Sequence, residues 1–105
     1  MTTESIRRLL AATGLPVTYQ YWEENEVPDL PYICYMAPQT NNFFADGKVY
    51  FTATKIRIEL YTEYIDPLTE LKLTNILDAE GYGWNRQEER IESEGFYQIT
   101  FEIEV

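Results

Sequence analysis

Two segments of this 105-residue chain alternate strictly between apolar and polar residues, and that alternation limits the fold more than any other feature. In residues 55–61, Ile56, Ile58 and Leu60 share one parity, while Lys55, Arg57, Glu59 and Tyr61 share the other. At the far end Tyr97, Ile99, Phe101, Ile103 and Val105 alternate with Gln98, Thr100, Glu102 and Glu104. A period of two belongs to strands, whose successive side chains point to opposite faces of a sheet. Each strand therefore offers one face to a core and the other to water or a partner.

Two amphipathic helices are available to cover the apolar faces. Ile6, Leu9 and Leu10 fall on one face of a first helix, with Thr2 or Thr3 as its cap and Glu4 at its positive end. Gly14 offers a left-handed stop, and Leu15-Pro16 cannot continue the helix. Asp66-Pro67 opens a second helix, a cap followed by proline at the first helical position. That helix should run to about Ala79 and stop at Gly81, burying Leu73, Ile76 and Leu77. Leu68 and Leu71 lie on its flank and predict a broad buried face.

The remaining segments complete a sheet. Residues 16–22, "PVTYQYW", read as a strand with Val17, Tyr19 and Tyr21 on one side. Residues 23–31 form an acidic, proline-punctuated loop. Residues 32–36, "YICYM", are apolar on both parities and suit a central strand. An amide-rich loop then leads into a long strand over residues 48–62. Residues 84–92 are a polar edge strand, and "SEG" is the turn into the last strand. The expected fold is one α+β domain spanning 1–105, in the order α-β-β-β-α-β-β. Both helices should pack on one face of a mostly antiparallel sheet of four to five strands. The strand–helix–strand crossing over residues 62–84 offers one parallel neighbour, and strand order stays open. The helix-free face carries Lys55, Arg57 and Tyr61, and is either solvated or set against another subunit.

Charge and residue usage exclude several functions. Eight Lys and Arg stand against 18 Asp and Glu, a net charge of −10, so a phosphate-binding surface would have to form inside a repelling field. The same argument disfavours specific nucleic-acid binding and anionic membranes. No apolar run approaches the roughly 18 residues that span a bilayer, and "MTTESIRRLL" lacks the order of a secretory signal. The lone Cys34 cannot form an internal disulfide, which suits a reducing cytosol. Histidine is absent altogether, which removes the commonest general base and most zinc sites.

Nothing left in the chain forms a catalytic constellation. Glu23/Glu24, Glu88/Glu89, Glu92/Glu94 and Glu102/Glu104 are carboxylate pairs, but they fall in a loop and on polar strand faces, where charges are ordinarily solvated. Cys34 has no base beside it in sequence and reads as a buried, inert thiol. "NNFFADGK" (41–48) offers oxygens at 41, 42 and 46, with phenylalanines between them and no suitably placed Glu for calcium. Asp46-Gly47 is better explained as a bend. The expectation is a protein that is not an enzyme and uses no metal or cofactor.

Several segments together, "TGLPVTYQYW", "LPYICYM", "NNFFADGKVYF", "IELYTEYIDPLTELKL" and "ERIESEGFYQITFEIEV", resemble a family. It is the small head–tail joining and tail-completion (tail-terminator-like) structural proteins of long-tailed phages and prophages of Gram-positive bacteria. The resemblance covers nearly the whole chain and contains no catalytic motif. It implies a virion protein, made in the host bacterial cytoplasm, that self-associates into a ring, commonly a hexamer. Such a ring caps the head-proximal end of the tail, between the major tail protein and the head–tail connector proteins. A lumen lined by carboxylates would repel passing DNA.

Within that expectation, "NNFFADGK" has two readings. Phe43 and Phe44 either straddle a bent strand with one ring in the core, or one of them reaches a neighbouring subunit. The candidate interface is Asn41, Asn42, Phe43 and Phe44 with Lys55, Arg57 and Tyr61, since aromatics beside polar groups often anchor interfaces. The alternative from another class is an acidic DNA-mimic inhibitor of a host nucleic-acid enzyme. A small hydrolase using paired carboxylates is the remotest reading.

Overall fold

The computed structural model describes residues 3–45 and 48–105, with side chains for residues 4–37 and 54–105. Helix α1 (Thr3–Ala11) leads to β1 (Val17–Tyr19), a single 3₁₀ turn (Glu24–Glu26) and β2 (Tyr32–Ala45). Then come β3 (Lys48–Thr62), α2 (Pro67–Ala79), β4 (Asn85–Ile91) and β5 (Phe96–Glu104). The five strands form one sheet in the order β1-β2-β3-β5-β4. All neighbours are antiparallel except β1 and β2. The fold is α+β, with two helices on a mostly antiparallel sheet.

The helix boundaries follow from their end residues. Asp66 Oδ1 accepts a hydrogen bond from the Thr69 backbone N–H at 3.2 Å, and Pro67 opens α2. Gly14 and Gly81 both take positive φ, 81° and 79°, where a side chain would be strained. Leu73 and Leu77 of α2 join Ile6 and Leu10 of α1 in one core cluster. That cluster packs on Ile33 and Tyr35 of β2, Ile56, Ile58 and Leu60 of β3, and Ile99, Phe101 and Ile103 of β5. Both helices thus cover the same sheet face.

Several expectations are corrected. Strand β1 stops at Tyr19 rather than reaching residue 22, because Gln20 turns the chain with φ 68° and Tyr21 N–H bonds back to the Tyr19 carbonyl. The crossing over residues 62–84 does not yield parallel neighbours, because β5 inserts between β3 and β4. The parallel pair is β1–β2, and its connection over residues 20–31 has the roughly dozen residues such a return needs. Leu68 and Leu71 do not broaden the buried face of α2: they are 76% and 51% exposed.

The largest difference concerns residues 37–45, which belong to β2 instead of a loop. Strands β2 and β3 pair from Tyr32↔Tyr61 out to Ala45↔Lys48. Asp46 and Gly47, the expected bend, lie outside the described residues. Strand β5 ends where Val105 exchanges two backbone hydrogen bonds with Thr54. Beyond that point, residues 38–45 and 48–53 pair only with each other among the described residues, a two-stranded arm. The register shifts between Met36 and Gln39, where Pro38 has no N–H to give, and again between Phe43 and Phe44. The radius of gyration is 15.0 Å, against about 13 Å for a globular chain of this length.

Candidate functional site

Strand pairing arranges the helix-free face into rows. Tyr32, Tyr61, Gln98 and Glu89 stand side by side across β2, β3, β5 and β4. The next row is Cys34, Glu59, Thr100 and Gln87, and the third is Met36, Arg57, Glu102 and Asn85. Lys55 pairs with Glu104 at the end nearest the arm. The three side-chain candidates Lys55, Arg57 and Tyr61 therefore share one strand and one face.

One end of this face is aromatic. Trp22 meets Tyr32 edge-on at 5.9 Å between ring centroids, Tyr32 lies 5.2 Å from Tyr61, and Tyr61 meets Phe96 at 5.1 Å. Edge-to-face and tilted contacts at these distances are favourable beyond the area they bury. Arg90 on β4 lies 4.8 Å over the Tyr97 ring, on the opposite side of the sheet.

The centre of the face is buried although no helix lies on it. Cys34, Glu59 and Thr100 are 4%, 8% and 7% exposed. The Tyr61 hydroxyl lies 3.2 Å from Glu59 Oε1 and 3.2 Å from Gln98 Oε1. Burial pushes the Glu59 carboxyl above its usual value, against the opposing pull of the Tyr61 hydrogen bond and the Arg57 charge. Burial also raises the Cys34 thiol to about 11, with the Glu59 charge adding to it. Cys34 is thus a thiol at neutral pH and a poor nucleophile.

Toward β4 the face opens into a polar depression of about 560 Å³, bordered by Arg57, Gln87, Glu89, Gln98 and Thr100. Arg57 reaches Glu102 at 3.6 Å, while its Nε is buried without a hydrogen-bond partner among the described residues. Hydrogen-bonding side chains of both signs line the depression. They suit a wet protein contact better than the convergent acid, base and nucleophile of an active site. Among the described residues no cluster of Cys, Asp and Glu is placed to hold a metal ion.

Asn41, Asn42, Phe43 and Phe44 occupy the arm, and their side chains lie outside the described residues. Their backbone positions pair with Ala53, Thr52, Phe51 and Val49 of β3. The structure therefore separates the two halves of the candidate interface, arm and sheet face, along the same pair of strands. The sequence placed Glu59 on a face that is either wet or interfacial, and did not single out Trp22, Tyr32 or Phe96. The signal was absent because the row is assembled by strand order, and only the parity of each residue is local.

No protein-family model and no curated protein matches the chain. No helix among the described residues is long and apolar enough to cross a membrane.

Proposed function

We propose that this chain is a non-enzymatic structural protein of a phage virion, assembling as a ring that completes the tail or joins it to the head. The observation that carries the reading is the β2–β3 arm, which outruns its own sheet and leaves both strand edges without a neighbour among the described residues. Unpaired strand edges and a half-polar sheet face are surfaces that subunit contacts readily use. The sequence resemblance to tail-completion proteins supplies the setting, with the major tail protein and the head–tail connector as neighbours. The net charge of −10 suits a lumen through which DNA passes without sticking.

The test is complementation of a prophage from which the gene has been deleted. Loss of joined, infectious particles with free heads and free tails, restored by the gene in trans, supports the reading. Normal particles without the gene overturn it. A tight complex of the monomer with a host nuclease or polymerase would favour DNA mimicry instead.

A further inference from the structure

The outer flank of α2 carries an apolar groove that nothing among the described residues covers. Its walls are Ile65, Leu71 and Thr74 from the α2 side, Trp84 just before β4 and Phe101 of β5, around a space of about 330 Å³. Ile65 and Leu71 in its lining are 41% and 51% exposed. Exposed apolar residues gathered in one place, unlike scattered ones, mark contact sites.

The groove is held in shape by bonds whose polar ends are already satisfied. Arg86 of β4 reaches Glu70 of α2 at 2.6 Å through Nε and Glu88 at 2.9 Å through Nη2. The Trp84 indole N–H donates to Asp78 Oδ1 at 2.9 Å, and its ring meets Phe101 edge-on at 5.4 Å. A partner covering the groove therefore displaces water chiefly from apolar surface.

We infer that this groove receives the β2–β3 arm of a second copy of the chain, an inference that rests on the ring-assembly reading. Charge selects the occupant. Two copies at −10 each repel, yet residues 38–53 contain one acid, Asp46, and one base, Lys48, with four aromatics, Phe43, Phe44, Tyr50 and Phe51. The arm is thus a neutral, aromatic-rich segment that extends beyond the sheet of an acidic protein. The two charged residues in the groove's lining, Glu70 and Arg86, are paired with each other. Arm and groove are different surfaces of one chain, so the contact is head-to-tail and generates a ring when its rotation closes.

Sedimentation velocity on four samples tests this: the natural protein, an Ile65→Gln/Leu71→Gln groove variant, a Phe43→Ser/Phe44→Ser arm variant, and an equal mixture of the variants. Circular dichroism verifies folding, which the exposed Ile65 and Leu71 sites leave undisturbed. Each variant alone should associate roughly thirtyfold more weakly than the natural protein, the effect of losing one hot spot. The mixture should form dimers and stop there, because one intact arm meets one intact groove. A groove variant that assembles as tightly as the natural protein overturns the inference, as does a natural protein that stays monomeric at all concentrations. Capped dimers in the mixture together with normal particles from the gene deletion would leave this contact standing and remove the tail-ring reading. Complementation by a groove variant that still assembles would do the opposite.

Discussion

The Tyr61 hydroxyl reaches Glu59 Oε1 at 3.2 Å on a sheet face that no helix covers, and Glu59 is nonetheless only 8% exposed. A carboxylate in that position is held by one neutral hydrogen bond and the nearby Arg57, while burial penalises its charge. The folded protein therefore binds the Glu59 proton more tightly than the unfolded chain does.

The consequence is a pH dependence of known sign. A carboxyl raised in the folded state contributes most below its unfolded value of about 4.3, and the contribution is lost as pH rises through the folded value. Glu59→Gln keeps an acceptor for Tyr61 and removes the charge. The variant should melt higher than the natural protein at pH 7, with the difference shrinking toward pH 4. Thermal melts across that range measure it. A Gln variant that melts lower at pH 7 would show that the Arg57 attraction outweighs burial.

Phe101 lies fully buried at the middle of β5, against Trp84 and the core cluster. Truncating such a residue to Ala costs about 3–5 kcal/mol, a large part of the roughly 5–15 kcal/mol that stabilises a domain. Phe101→Ala should yield mostly insoluble or molten protein. Its neighbour Glu102 points to the other face and pairs with Arg57 at 3.6 Å with both side chains over 40% exposed. A surface pair of that kind contributes about 0–1 kcal/mol. Glu102→Ala should therefore fold and melt close to the natural protein, and equal losses in the two variants would contradict the assigned faces of β5.

How far the sequence reveals this fold depends on whether each signal is local. Alternation at Ile56–Leu60 and Tyr97–Val105 reports strand faces directly, and Asp66-Pro67 with Gly81 brackets α2, because caps and parity act within a few residues. The arm was hidden because Asn, Gln and Pro weaken strand propensity at residues 38–42, while pairing with β3 supplies the strand from outside. Glu59 was hidden because its row neighbours Cys34 and Thr100 stand on other strands, and only the strand order brings them beside it. Leu68 and Leu71 were misread because helical spacing tells which residues share a face, not whether another element covers it.

Asp66 tests the local part of that reasoning. Its carboxylate accepts from the Thr69 N–H at 3.2 Å and from the Thr69 hydroxyl at 2.6 Å, closing the first turn of α2. Removing such a cap costs about 1 kcal/mol, which lowers the melting temperature of a small domain by roughly 4–8 °C. Asp66→Ala should show that drop, and Asp66→Ser or Asp66→Asn should recover most of it. A variant with an unchanged melting temperature would mean that packing of Leu73 and Leu77 alone holds the helix start.

Phe43 and Phe44 connect the arm to the proposed assembly. Their backbone belongs to the segment of β2 that lies past the end of β5, beyond the strands that support the core cluster. Replacing either by Ser should leave the melting temperature of the monomer nearly unchanged. If one of them anchors a subunit contact, its loss weakens each contact by roughly 2–4 kcal/mol, and a closed ring repeats that loss at every interface. The expected result is a folded protein that fails to complement a prophage lacking the gene, with tails that remain unjoined. Circular dichroism and melting follow the fold, and particle titre follows assembly. If both Ser variants fold and both complement, the arm is a spacer and its aromatics hold no partner.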